Sequence, residues 1–289
     1  MEVNFSGKGL YSLPDLPESL TELRCGSNQL TSLSDLPKGL TKLSCYSNQL
    51  TSLSDLPKGL TELYCHYNRL TSLPDLPEDL TELYCYNNQL TSLPILPKGL
   101  TELSCGSNQL ISLPDLSEGL TELNCCDNQL ISLPDLPRGL TILHCDGNQL
   151  TFLPDLPEGL TELCCGDNQL TSLLDLPESL TKLYCYNNQL TFLPILPESL
   201  TELYCGGNQF ISENIISREF PSLMEITLPI FHQHFCKKTN IQELDEQIGN
   251  LAVCTNCNKK TQLRKNAIIT ETKWGHLPIL KRLCWRCSF

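Results

Sequence analysis

Leucine and cysteine recur along the first 210 residues in a fixed order that repeats every twenty residues. Starting at Leu20, the unit reads Leu-Thr-Glu-Leu-x-Cys-x-x-Asn-Gln-Leu-Thr-Ser-Leu-Pro-Asp-Leu-Pro-x-Gly. Side chains alternate between the two faces of a strand, so Leu23 and Cys25, two residues apart, share one face. The pattern therefore predicts that each unit contains a short strand with Leu and Cys turned into a core.

The second half of the unit predicts a turn and an extended return. Asparagine occupies the ninth position of all ten copies, at 28, 48, 68, 88, 108, 128, 148, 168, 188 and 208. Its side chain can turn the chain and satisfy backbone groups that would otherwise be buried without partners. The two prolines three residues apart exclude a helix and hold the return limb extended.

A single unit buries little apolar surface, so the units must stack to form a continuous core. The segment Leu-x-x-Leu-x-Cys-x-x-Asn-x-Leu is identified as a leucine-rich repeat with cysteine at the second inward position. We predict a β-solenoid over 1–212, a leucine-rich-repeat horseshoe with a parallel concave sheet and an extended, non-helical convex side. A degenerate copy, expected to form the N-terminal cap, precedes the ten repeats; it is marked by Val3, Phe5, Lys8, Leu10, Leu13 and Leu16.

The unit resembles the short twenty-residue class of leucine-rich repeats in bacterial effector proteins. Its cysteine variant, as in Leu83 to Pro94, is similar to repeat proteins of giant DNA viruses of amoebae, which implies a viral protein in a host cytoplasm. Some bacterial relatives carry a ubiquitin-ligase domain with a Cys-x-Asp nucleophile. Cys125 and Cys165 begin such strings, but both occupy the inward repeat position. With no nucleophile–base pair, phosphate loop or open metal site in the sequence, we expect no enzyme.

The seventeen cysteines predict reduced thiols rather than a disulfide framework. Their number is odd, their spacing follows the repeat, and Met1 to Leu10 lacks the apolar core of a signal peptide. No apolar run approaches the roughly 18 residues of a membrane span. We therefore expect a soluble, cytoplasmic protein whose repeated cysteines are small buried apolar groups. Cys126 and Cys164 fall outside that series, at outward positions that we expect to be exposed.

The variable positions of the unit, the fifth, seventh and eighth, are expected on the concave face, where solenoids bind partners. Eight of the nine tyrosines lie there, and tyrosine is enriched at interface hot spots. The alternative is drift among recently duplicated units, with tyrosine merely suiting a β surface. The candidate partner-binding residues are Tyr46, Tyr64, His66, Tyr67, Tyr84, Tyr86, His144, Tyr184, Tyr186 and Tyr204. Beside them runs a row of glutamates: Glu22, Glu62, Glu82, Glu102, Glu122, Glu162 and Glu202.

The charge changes sign after the repeats. Residues 1–210 carry nine Lys/Arg against 26 Asp/Glu, whereas residues 211–289 carry 11 against seven. Such a change predicts a domain boundary. We expect a partly helical cap or linker over 213–250 and a zinc-binding tail over 251–289. Two Cys-x-x-Cys pairs predict a structural four-cysteine zinc site, with disulfides or unliganded thiols as alternatives. Its ligands would be Cys254, Cys257, Cys284 and Cys287.

The tail is similar to the cysteine-rich C-terminus of certain animal leucine-rich-repeat proteins, through Phe220 to Ile226 and Leu277 to Leu280. Residues 220–231 also resemble the elongin-binding box of ubiquitin-ligase substrate receptors. Three functions follow. The first is a non-enzymatic module binding a protein partner on its concave face. The second is a substrate receptor recruiting a ubiquitin-ligase adaptor through 220–231. The third is nucleic-acid contact by the basic tail, which the acidic solenoid disfavours.

Overall fold

The computed structural model describes residues 1–33 and 35–210, which form one parallel sheet of eleven strands in sequence order. Each strand has three residues, and there is no helix in the described ranges. The predicted β-solenoid is confirmed. The strands are β1 (Glu2–Asn4), β2 (Glu22–Arg24), β3 (Lys42–Ser44), β4 (Glu62–Tyr64), β5 (Glu82–Tyr84), β6 (Glu102–Ser104), β7 (Glu122–Asn124), β8 (Ile142–His144), β9 (Glu162–Cys164), β10 (Lys182–Tyr184) and β11 (Glu202–Tyr204).

The core lies on the inward side of this sheet. Neighbouring strands pair in a register of twenty residues, so that Leu23 faces Leu43 and each repeat position forms a row across the sheet. In the first repeat, Leu20, Leu23, Cys25 and Leu30 are all fully buried, and the same positions are buried in the other repeats, except that Phe210 in the last one is partly buried. The degenerate first copy supplies β1, which pairs with β2. The Leu and Cys rows thus form the continuous core that the repeat predicted.

The asparagine row joins successive repeats through buried hydrogen bonds. Nδ2 of Asn48 donates to the carbonyl oxygens of Cys25 and Cys45, each at 3.0 Å. Its Oδ1 accepts the backbone N–H of Leu30 at 3.0 Å. One side chain therefore satisfies backbone groups of two repeats at the turn where the strand ladder has ended. This confirms the role expected for the ninth position.

Threonine at the second position forms a parallel row of hydrogen bonds at the strand entrance. The Thr41 hydroxyl donates to the carbonyl oxygen of Thr21 at 3.0 Å, and the contact recurs along the sheet. Just before it, the backbone N–H of Leu20 donates to the Pro17 carbonyl at 3.0 Å and closes a tight turn. Proline is compatible with position 17 because this residue contributes its carbonyl oxygen to the turn and needs no backbone N–H. The return limb thus enters each strand in a fixed register.

The eighth position does not lie on the strand face, which corrects that part of the sequence analysis. The strand ends at the fifth position, and the eighth adopts a left-handed conformation, with φ of 54° at Ser27 and 53° at Tyr67. Gly147 and Gly207, at the same repeat position, have φ of 66° and 69°. This backbone conformation forms part of the turn that leads into the following asparagine. The eighth side chain therefore projects from a turn beside the sheet.

Residues 213–250, the segment 220–231 and the four tail cysteines lie outside the described residues. In the described part of the chain, no helix is long and apolar enough to cross a membrane.

Candidate protein-binding face

The side chains at the third and fifth repeat positions of β2 to β11 alternate with the buried leucine and point to solvent. We call these rows, together with the seventh position just beyond each strand, the solvent face of the sheet. Because the register is exact from strand to strand, like positions are stacked about 4.8 Å apart. Each row therefore brings together side chains that are twenty residues apart in sequence.

Six of the sequence-predicted residues lie in the adjacent repeats of β3 to β5 and form two groups of stacked rings, which together we call the first aromatic patch. His66 is stacked between Tyr46 and Tyr86, with ring centroids 5.0 and 4.4 Å apart. Tyr67 meets the edges of His66 and Tyr86. Burial among these rings lowers the pKa of His66. The patch consists of Tyr46, Tyr64, His66, Tyr67, Tyr84 and Tyr86.

Within this patch, Tyr64 and Tyr84 form a second stack, in the fifth-position row, with centroids 5.0 Å apart. Their hydroxyls donate to carboxylates of the following strand, Tyr64 to Glu82 and Tyr84 to Glu102. Burial, followed by the hydrogen bond to Glu82 and its charge, raises the pKa of Tyr64 well above its ordinary value. The phenols therefore stay protonated, and each ring is held by stacking on the other and by the hydrogen bond of its hydroxyl.

The second aromatic patch consists of Tyr184, Tyr186 and Tyr204 at the far end of the sheet. Tyr184 and Tyr204 are stacked with centroids 4.8 Å apart, and the Tyr184 hydroxyl donates to Glu202. His144, also a sequence-predicted candidate, belongs to neither patch. It lies between them on β8, where its Nε2 is 3.0 Å from Oε1 of Glu162. The ten candidates are thus divided into two patches and one separate histidine.

Glycine at the seventh position makes room for the aromatic ring of the next repeat, a relation that the sequence analysis missed. A Cβ on Gly26 would lie 2.5 Å from Cε1 of Tyr46, and one on Gly166 would lie 2.5 Å from the Tyr186 ring. Each tyrosine therefore lies over the backbone of the preceding repeat. The signal was present in the sequence as glycine twenty residues before tyrosine, at Gly26 and again at Gly166.

A shallow recess of about 210 Å³ separates Tyr84 from His144. Smaller side chains, Ser104 and Asn124, replace the aromatic rings there, and Ile142 lies at one side. The recess is also lined by Glu102 and Glu122. These two glutamates are paired residues on adjacent strands, so their like charges lie side by side.

Comparison with known proteins supports the repeat assignment. A family model described as leucine-rich repeats in two copies matches residues 18–58, 38–78, 58–98 and 78–118. YopM from Yersinia pestis is 32% identical over 72% of this chain and 77% of its own, with a TM-score of 0.48.

The chain belongs to the leucine-rich-repeat family.

Other solved members of the family are similar as well. YopM from Yersinia enterocolitica is 34% identical over 68% of this chain and 53% of its own, with a TM-score of 0.52. The chain thus spans about half the length of that protein. The functional domain of InlJ from Listeria monocytogenes is 34% identical over 67% of this chain and 45% of its own, with a TM-score of 0.57. A comparison with curated protein sequences found no match.

The cysteine row of this leucine-rich-repeat chain belongs to its core; the InlJ domain is likewise described as including a cysteine ladder. Cys125 and Cys165, which begin the Cys-x-Asp strings, are fully buried, with no solvent-accessible surface. Burial raises the pKa of both thiols well above the ordinary value. Neither group has the character of a nucleophile, which needs an accessible thiolate.

The two cysteines outside that row are partly buried, although we expected them to be exposed. Burial, followed by the charges of Asp146 and Glu162, raises the pKa of Cys164 to about 12. Burial and Asp146 likewise raise the pKa of Cys126. Each thiol lies beside an acidic side chain, Cys126 beside Asp146 and Cys164 beside Glu162.

Proposed function

We propose that the solvent face of the sheet binds a protein partner through apolar and basic side chains of that partner. The observation that carries the proposal is the first aromatic patch, whose rings are stacked in two rows beside a row of carboxylates. Solenoids use such extended sheet surfaces for binding. Membership of the family favours a protein-binding scaffold over an enzyme.

The aromatic patch supplies rigid apolar area. Tyr67 is 52% exposed, and its neighbours Tyr46, Tyr64 and Tyr86 are each partly accessible. Their stacking and hydrogen bonds fix the rotamers before binding, so little side-chain entropy remains to be lost when a partner docks. Tyr67, the most exposed ring of the patch, can also receive an arginine or lysine over its face, which contributes about 0.5–2 kcal/mol.

The carboxylates supply the charge. Strands β2 to β11 carry seven glutamates on the solvent face, whereas the cations there are Arg24, Lys42 and Lys182. All three cations lie toward the ends, paired with Glu22, Glu62 and Glu162. The central strands β5 to β7 therefore present three consecutive carboxylates without a cation among the described residues.

Within that central row, Glu82 and Glu102 each accept a tyrosine hydroxyl, but the carboxylate of Glu122 has no hydrogen bond or ion pair to any described residue. Like charges directly opposite one another destabilise a sheet. A cation in the recess between Tyr84 and His144 would relieve that repulsion. We therefore propose that the recess receives an arginine or lysine side chain while adjacent apolar groups of the partner contact the first aromatic patch.

The test is selection of peptides from a random library displayed on phage, with the full chain as bait. We expect enriched peptides to combine arginine or lysine with apolar residues and to bind less tightly as salt rises. The double variant Glu102→Gln/Glu122→Gln should weaken their binding about tenfold. The matched control, Glu158→Gln/Glu178→Gln, removes two carboxylates from turns outside the sheet and should leave binding unchanged. Equal losses in both variants would show that only overall charge matters and would refute the recess.

Two finer proposals rest on the sequence of residues 211–289. The four tail cysteines would hold a structural zinc ion, and residues 220–231 would recruit a ubiquitin-ligase adaptor. Leu223→Asp should then abolish co-purification of adaptors from eukaryotic cells while leaving capture of the partner intact. If adaptors are absent with the parent chain as well, the receptor function is wrong and the scaffold function stands alone.

A further inference from the structure

The row of tyrosines at the fifth position is interrupted on four strands, β6 to β9, and the last two of these carry side chains that can bind a metal ion. Tyrosine occupies this position on β4, β5, β10 and β11, but His144 and Cys164 replace it on β8 and β9. These two residues are paired in register. The interruption therefore places an imidazole and a thiol side by side on the solvent face, next to the carboxylate of Glu162.

The three side chains converge on one point. Nε2 of His144 is 3.0 Å from Oε1 of Glu162, and Sγ of Cys164 is 3.9 Å from the same oxygen. One ligand atom from each residue lies within 4.8 Å of the other two. Zinc bound at about 2.0–2.3 Å holds tetrahedral ligands about 3.3–3.8 Å apart, so small side-chain rotations suffice. Within residues 1–33 and 35–210, this is the one group of three such donors.

We propose that His144, Glu162 and Cys164 form a binding site for a zinc-class divalent ion, with water as the fourth ligand. Imidazole nitrogen, carboxylate oxygen and thiolate sulfur are the donors that zinc uses. The site is new with respect to the four tail cysteines and lies between the two aromatic patches. It is independent of the proposed partner-binding function.

The charges around the cluster favour a cation. Asp146 is partly buried beside Cys126 and near Cys164, and Glu162 is partly buried as well. The cation beside them is Lys182, whose Nζ is 2.9 Å from Oε2 of Glu162. Because Lys182 contacts Oε2, it leaves Oε1 directed at the histidine and the thiol. With Cys164 as a thiolate, this sulfur and the two carboxylates carry three negative charges, which Lys182 and a divalent ion together would balance.

Binding would also displace the thiol proton. Zinc binds cysteine as the thiolate, so the Cys164 thiol would lose its proton on coordination. A metal ion replaces that proton, so the apparent affinity should rise with pH. The ion would turn Cys164 from a partly buried thiol into a metal ligand.

The experiment measures zinc per chain by mass spectrometry after equilibration, using the full-length protein and single variants of it. His144→Gln and Cys164→Ser should each bind one zinc ion fewer than the parent, or bind it at least about tenfold more weakly. Cys126→Ser is the matched control, because it removes a nearby partly buried thiol outside the cluster, and it should retain full stoichiometry. A separate zinc site in the tail would remain in all of these variants and cancel in the comparison.

Cobalt substitution supplies a second readout. The parent should show a thiolate-to-cobalt charge-transfer band that loses the contribution of one sulfur in Cys164→Ser but not in Cys126→Ser. Lys182→Met frees the second carboxylate oxygen and should tighten binding. Circular dichroism checks that each variant is folded. Unchanged zinc stoichiometry and cobalt spectra in both His144→Gln and Cys164→Ser would overturn the proposal, as would equal losses in Cys126→Ser and Cys164→Ser.

Discussion

The asparagine row allows a quantitative prediction about stability. In the middle of the solenoid, Asn128 is 9% exposed, and its Nδ2 donates to the carbonyl oxygens of Cys105, Cys125 and Cys126 at 3.0–3.2 Å. Its Oδ1 accepts the backbone N–H of Leu110 at 2.9 Å. Asn128→Ala removes all four contacts without altering the sheet register.

The four contacts do not contribute equally. The carbonyl of Cys105 also accepts from Asn108, and that of Cys125 also accepts from Asn148, so both keep a partner in the variant. The N–H of Leu110 has no other acceptor among the described residues. One orphaned buried donor costs about 1–3 kcal/mol, and the weakened carbonyl bonds add to it. We expect Asn128→Ala to lower the free energy of unfolding by about 2–4 kcal/mol.

The assay is urea unfolding of the full chain followed by circular dichroism. Gln129→Ala is the matched control, because this next residue is exposed and only its backbone bonds to Leu110; its cost should stay within about 0.5 kcal/mol. Asn128→Asp keeps an acceptor for Leu110 but points a second oxygen at the three carbonyls, and should destabilise at least as much as alanine. A loss in Asn128→Ala no larger than that in Gln129→Ala would refute the assigned role of the row.

Two further predictions concern the solvent face. Gly26→Ala places a Cβ against the Tyr46 ring and should destabilise by about 1–3 kcal/mol while changing the near-ultraviolet circular dichroism. Gly206→Ala, which meets nothing within 4 Å, should change neither, and equal effects would contradict the packing. Burial opposes ionisation of Glu162, but hydrogen bonds from Lys182 and His144 outweigh it and lower the pKa of Glu162. Lys182→Met should therefore destabilise the folded protein at pH 7, where the carboxyl of Glu162 is ionised in both the folded and the unfolded chain. The loss of stability should shrink as the pH falls through the lowered pKa of Glu162 in the folded protein. An equal decrease of the urea midpoint at pH 7 and pH 3 would contradict this.

The sequence predicted the fold because each repeat position has one environment. Leu23 and Cys25 recur in every unit at a spacing that only a strand turns to the same side, and Asn28 recurs where the ladder ends. The same strand and turn therefore recur in all ten stacked repeats. Even the degenerate copy around Val3 was recognisable from its spacing, and it pairs with β2 as an additional strand.

The solvent face was harder to predict because its geometry depends on contacts between repeats. The twenty-residue alignment placed Tyr46 and His66 in one row, but not their stacking or the glycine beneath the first ring. Likewise, it treated Tyr67 as a strand residue, although the backbone turns left-handed there. Cys164 was predicted to be exposed, but it is partly buried beside Asp146 and Glu162. Such contacts follow from side-chain rotamers, which a repeat pattern does not encode.

The central claim is that the solvent face of the sheet is the binding surface. The most direct measurement is the affinity of the full-length protein for a captured partner, with Tyr64→Ala/Tyr84→Ala compared against Phe152→Ala/Phe192→Ala. The control removes two exposed aromatic rings, 56% and 43% accessible, from return limbs outside the sheet. Loss of two hot-spot rings should weaken binding at least about tenfold in the tyrosine variant, while the phenylalanine variant binds like the parent. Unchanged affinity in the tyrosine variant, or an equal loss in the phenylalanine variant, would contradict the claim.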